Sequence, residues 1–174
     1  MPRADPASRV TFDGDELAGM VDPFGVLTHA ELHEATREVT FRRGDEVDAD
    51  ALAAAIDDAV AAYRLVVCPP GAVGSDRPVG DDGDLLAVGP TAFPESPEGA
   101  EDLVHILDVD RRAIDRERVG RAVVERLRGQ AARAVDRGDR ERVRQLLDLS
   151  YDVEAWAPLD VSDVRERFDT ALEE

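Results

Sequence analysis

Leu65-Val66-Val67-Cys68 and Leu85-Leu86-Ala87-Val88 decide the reading of this chain, together with the stretch between them, which opens Pro69-Pro70-Gly71 and closes Gly80-Asp81-Asp82-Gly83-Asp84. Both apolar runs have the length of a strand and are bounded by Gly, Pro and Asp, as the two arms of a hairpin with a long loop would be. Three helical patterns precede them. Three helices followed by a two-stranded hairpin is the order of a winged helix, so residues 12–89 are expected to form a winged-helix-like α+β half.

Working back from the hairpin, Asp48 or Asp50 opens the third helix, with Leu52, Ile56, Ala59, Val60 and Tyr63 as its apolar stripe. The second helix has the best start signal in the chain. Thr28 and Glu31 make a capping box, and Leu27 and Leu32 sit at the staple positions. Leu32, Ala35 and Val39, with Phe41 as a further member, supply its buried side, and Gly44 ends it. The first helix starts at Asp13, paired with Glu16 three residues on. Leu17, Met20, Val21 and Phe24 line one face before Gly25 stops it. Residues 1–11 are polar, carry two prolines and read as a disordered tail.

Beyond the hairpin, residues 90–99 contain Pro90, Pro94 and Pro97 and read as a linker or as extended chain wrapped on the first half. Leu103 to Val109 is ambiguous between strand and helix. A helix from about Asp115 to Arg137 carries Val119, Val123, Leu127, Ala131 and Ala134. Gly138 breaks it, and Asp139 caps a helix with Val143, Leu146 and Leu147, giving an antiparallel helical hairpin. Ser162 is read as the cap of a last helix with Val164, Phe168 and Leu172. The expected fold is therefore mainly α (α+β), with residues 100–174 as an α-helical half packed on the first. No internal repeat is present.

The 21 basic residues are all Arg, against 39 Asp and Glu, for a net charge of −18; Lys and Asn are absent. Such acidity describes the solvent a protein works in more than the ligand it binds, and base bias plus solubility is its simplest account. In molar salt the Debye length falls to about 3 Å, so recognition there rests on shape and short contacts. Cys68 is the only cysteine, which rules out an intramolecular disulfide and a cysteine-rich zinc ribbon. Met1 to Val10 has no apolar signal region. The run Leu65–Cys68 is far short of the roughly 20 residues needed to span a bilayer. A cytoplasmic protein with no membrane anchor is expected.

Four stretches, Asp15-Glu16-Leu17-Ala18-Gly19-Met20-Val21-Asp22, Gly89-Pro90-Thr91-Ala92-Phe93-Pro94, Leu107-Asp108-Val109 and Tyr151-Asp152-Val153-Glu154-Ala155-Trp156, resemble an uncharacterised family of acidic haloarchaeal cytoplasmic proteins. The resemblance covers nearly the whole chain. It implies a salt-rich cytoplasm and transfers no activity.

The absence of Lys excludes a P-loop, whose Lys must reach the phosphates, and a Schiff-base mechanism. Gly71-Ala72-Val73-Gly74-Ser75 therefore reads as a flexible loop. His29 and His33 lie four apart on one helical face, a spacing that suits a two-histidine metal clip. Glu31 stands midway between them, which loses the catalytic geometry of zincins. Two partly exposed imidazoles are the plainer account, with His105 and Cys68 as the only further ligands of those types. Cys68 has only Arg64 near it in sequence, so it reads as a small buried side chain. Ser75, Ser96, Ser150 and Ser162 lack the context of a nucleophile, and no carboxylate pair stands out among the acids. No catalytic residue and no cofactor are expected.

Residues 111–144 carry twelve Arg and six Asp or Glu, net +6, so the other 140 residues hold −24. Arg121, Arg128, Arg133, Arg140 and Arg144 are the candidate interaction residues of this segment. It reads either as a docking surface for an acidic partner or nucleic acid, or as a set of cations neutralised within the chain, beginning with Glu117–Arg121 and Arg121–Glu125. The third helix offers Asp50, Asp57 and Asp58, and the wing Asp76, Asp81, Asp82 and Asp84 against Arg77 alone, which opposes phosphate. A non-enzymatic interaction or regulatory module with a possible protein partner is the expected function. The alternatives are a DNA-binding regulator using residues 111–144 and an enzyme of unrecognised type.

Overall fold

The computed structural model describes residues 10–74 and 84–174. Most of the expected tail, and the wing loop with Asp76, Arg77, Asp81 and Asp82, lie outside the described residues. The chain divides into two compact units. One holds the chain up to Cys68 together with Val73–Ile114, and the other holds Pro69–Ala72 with Asp115–Glu174.

In the first unit, α1 (Gly14–Val21) is capped by Asp13, whose carboxylate accepts from the Asp15 and Glu16 amides while Glu16 returns the bond to Asp13 N. The sequence pattern carried this helix through Phe24, but it tightens at Pro23 into a 3₁₀ turn, Asp22–Phe24. Gly25 then reverses the chain at φ 73°, and its Cβ position is occupied by the Arg112 carbonyl. The next three residues form β1 (Val26–Thr28), all buried and unanticipated by the sequence. Thr28 ends β1 and caps α2 (His29–Arg43), with both halves of the expected capping box made. Gly44 closes α2 at φ 76°, and Asp48 caps α3 (Ala49–Ala61). β2 (Leu65–Val67) and β4 (Leu85–Val88) follow, with the two-residue β3 (Val73–Gly74) between them.

The sheet order is β1-β4-β2, antiparallel throughout, with Val26 opposite Ala87 and Leu65 opposite Val88. Helix, strand, two helices and two more strands in this order make the winged-helix-like arrangement. Leu17, Met20, Phe24, Leu27, Leu32, Ile56, Leu65 and Leu86 fill its core. Each such side chain contributes about 1.5–3 kcal/mol by leaving water. Phe41, read as part of that core, is 81% exposed.

The proline segment 90–99 lies along α1: the Phe93 amide donates to Asp15 Oδ1 at 2.9 Å and the Glu95 amide to Asp15 O at 3.0 Å. The ambiguous stretch resolves as a short helix, α4 (Leu103–Ile106), and β5 (Ala113–Ile114) pairs with β3.

In the second unit, Asp115 caps α5 (Arg116–Asp136) and Asp139 caps α6 (Arg140–Trp156), with Gly138 at φ 65° in the turn. Val119, Val123, Leu127 and Ala134 of α5 and Val143, Leu146 and Val153 of α6 are buried, and Gly120 leaves room for Ala157. α7 (Ser162–Glu173) adds Val164 and Phe168. Ser162 is its first residue, not its cap. Its amide and hydroxyl both donate to Asp160, and the residue in the cap position is Val161. No helix of the described residues is long and apolar enough to cross a membrane.

Candidate functional site

The imidazoles do not converge. His29 and His33 are half-buried on the first turns of α2, and His105 is exposed on α4. Among the described residues, no group of three or more His, Cys, Asp or Glu is placed to hold a metal ion. His33 instead borders a concavity of about 590 Å³ with Arg37, Phe41 and Val47 at the turn into α3. Cys68 is buried, and that burial pushes its thiol up to about 11, so it stays protonated at neutral pH. Ser150 is fully buried and donates to the Leu147 carbonyl, as a core hydroxyl on a helix does.

The element that reads DNA in a winged helix has an unusual solvent face here. Every exposed side chain of α3 is Ala or Asp: Ala49, Asp50, Ala51, Ala53, Ala54, Asp57, Asp58 and Ala61. None reaches beyond a β-carboxylate. The arm entering the wing is also engaged. Val73 and Gly74 pair with Ile114 and Ala113. The Asp115 amide donates to Ala72 O at 2.7 Å, and Arg118 donates to Gly71 O at 3.0 Å.

A bidentate ion pair fixes the chain that leads to β5. Arg112 donates to both oxygens of Glu31 at 2.6 and 2.7 Å and also to Val26 O. Burial pushes the Glu31 carboxyl up. The bonds from Arg112 and from the Thr28 amide outweigh it and hold the group below its ordinary value. Arg112 was legible only as one arginine of the basic segment.

The five candidate arginines separate into different roles. Arg121 pairs with Glu117, as expected. Glu125 pairs with Arg128 in place of Arg121, and Arg128 also reaches Asp163 on α7 at 2.9 Å. These bonds raise the Arg128 guanidinium above its ordinary value, Glu125 first. Arg140 donates to the Leu172 carbonyl in the last turn of α7. Arg133 and Arg144 are exposed, and neither forms an ion pair among the described residues.

Steps of 100° put Arg121 and Arg128 on one side of α5 and Arg133 on the opposite side, so the five do not form one patch. The side that carries Arg133 also carries Arg126, Gln130 and Arg137. Arg142 joins it from α6 by donating to Gln130 Oε1 at 3.2 Å and to Gln145 Oε1 at 3.0 Å. The helical wheel of residues 126–137, taken alone, contains this stripe; averaging over the whole basic segment hides it.

On the other side of α5, Ala131, Ala132 and Val135 face Val164, Phe168 and Ala171 of α7 across a groove of about 550 Å³. Arg128 and Arg167 rim it together with Asp136, Asp163 and Glu174, so its edge carries both signs.

No curated protein matches the chain, and neither does any solved structure. One family does match, over residues 15–173, which takes in every element of both units except the first residue of α1. The chain therefore belongs to the family described as "Family of unknown function (DUF7109)".

Proposed function

We propose that this chain is a non-enzymatic protein-interaction or regulatory module of a salt-rich cytoplasm, built on a winged-helix-like unit that does not read DNA. The observation that carries the reading is the solvent face of α3, made of Ala and Asp alone. Readout in the major groove uses the forks of Arg, Lys, Asn or Gln on base edges, and cations on phosphates. Alanine offers neither, and an aspartate row repels the backbone at contact range. The pairing of β3 with β5 supports the same reading, because it engages the arm that would carry a wing into a groove. The lysine-free surface at net −18 supports concentrated salt as its solvent.

The test has two arms. Immobilised protein is exposed to the cytoplasm of a salt-adapted cell in molar KCl, and retention on duplex DNA is measured from low to molar salt. The reading expects a stoichiometric protein partner and no retention on DNA. Recovery of no partner at stoichiometry removes it. Retention on duplex that Arg121→Glu and Arg128→Glu abolish would establish the DNA-binding alternative in its place.

A further inference from the structure

We propose that the far half of the α5–α6 hairpin is a receptor for an acidic helical segment of another protein, held by Arg133 and Arg137 with Arg126 and Arg142 beside them. The inference rests on the interaction-module reading above and gives it a surface and a partner chemistry.

At 100° per residue, Arg126, Gln130, Arg133 and Arg137 fall within about 60° of one another on α5. From first to last they span about 16 Å, three turns of helix. No Asp or Glu shares the stripe, and the two glutamines Gln130 and Gln145 stand where carboxylates would otherwise quench it. Other guanidiniums of this unit are already engaged: Arg121 by Glu117, Arg128 by Glu125 and Asp163, Arg165 by both oxygens of Glu154. Arg133 and Arg137 are exposed and form no ion pair among the described residues.

Charge decides the class of partner. Residues 126–145 hold seven Arg and three Asp or Glu, net +4, in a chain whose remainder is −22. A duplex is a rigid polyanion with one charge per about 1.7 Å, and the chain's net charge of −18 opposes its approach. An acidic helix of matching length needs only the stripe. In molar salt the Debye length is about 3 Å, so attraction survives only between groups in direct contact. The guanidinium fork supplies such contacts to carboxylates in bidentate pairs.

Fluorescence anisotropy from about 0.2 to about 2 M KCl tests this. The probes are a helical Ala/Gln peptide with glutamates spaced to match Arg133 and Arg137, the same peptide with Gln for Glu, and a short DNA duplex. The Glu peptide is expected to bind, and Arg133→Glu with Arg137→Glu to weaken it by about tenfold or more, while the circular dichroism of these exposed-site variants stays unchanged. The Gln peptide and the duplex are expected not to bind. Absence of binding, equal binding of the two peptides, an unweakened double variant, or duplex binding through the same arginines overturns the proposal. If the double variant still recovers the wild type's cytoplasmic partner, the module reading stands and this surface is removed from it.

Discussion

Glu31 caps a helix and anchors a distant strand with the same two oxygens. It accepts from the Thr28 amide at 2.8 Å and from both terminal nitrogens of Arg112, with the two side chains only 22% and 15% exposed. Removing its charge leaves Arg112 half-satisfied, so Glu31→Gln is expected to cost about 2 kcal/mol in urea unfolding at high KCl. The carboxyl's folded value is depressed, so its contribution is complete above the unfolded value and fades as pH falls through the folded one. The wild type should therefore lose its advantage over Glu31→Gln progressively below pH 4.5, the group's ordinary value. A constant gap between the two across that range would show that the ion pair is not what stabilises the fold. Gly19 offers a second test at one residue. A Cβ there would fall 1.8 Å from the Glu95 carbonyl oxygen. Gly19→Ala gains about 1 kcal/mol of helix propensity. Overpacking against backbone costs about 3 kcal/mol, so net destabilisation is expected. Cleavage at Glu95 or Glu98 by a Glu-specific protease should speed up as segment 90–99 is pushed off α1.

Helix ends depend on neighbours three or four residues away, which explains why they were legible. The boxes at Asp13–Glu16 and Thr28–Glu31 and the stops at Gly44 and Gly138 all stand where the local pattern put them. β1 was hidden because its hydrogen-bond partners in β4 come nearly sixty residues later, and Leu27 satisfied a staple pattern equally well. β3 and β5 are two residues each and exist only through each other, so no periodicity could reveal them. Phe41 was misplaced because an apolar residue at the end of a stripe need not face the core. For the candidate site, composition located the basic segment, but not which arginines have a carboxylate near them. That depends on α7, which brings Asp163 to Arg128 and the Leu172 carbonyl to Arg140. The α5–α6 turn gives the prediction at this scale. Gly138 has φ 65° and open space where a Cβ would go. Gly138→Ala should therefore cost only the backbone term, about 1 kcal/mol, and Gly138→Asn less, because Asn tolerates the left-handed region. Equilibrium urea unfolding checks the order, and a loss well above this for Ala would mean that the turn is packed against something.

Charge is shared unequally between the two units. The second holds twelve Arg and fifteen Asp or Glu, net −3, which leaves −15 on the first. Self-repulsion grows with net charge and is screened by salt, the Debye length shrinking from about 30 Å at 0.01 M to about 3 Å at 1 M. Removing KCl should therefore destabilise the first unit long before the second. The second unit is in addition crossed by ion pairs of opposite sign, Arg128–Asp163 and Arg165–Glu154, which strengthen as screening is removed. The chain's single tryptophan, Trp156, closes α6 beneath the Arg116 guanidinium, 5.1 Å from its ring, so its fluorescence reports the second unit alone. Helical circular dichroism reports both. On stepwise dialysis from molar to millimolar KCl, part of the dichroism should disappear while the tryptophan spectrum holds, and both should return when salt is restored. A tryptophan shift that coincides with the first loss of dichroism, or precedes it, would mean that the charge imbalance does not govern the stability of the two units.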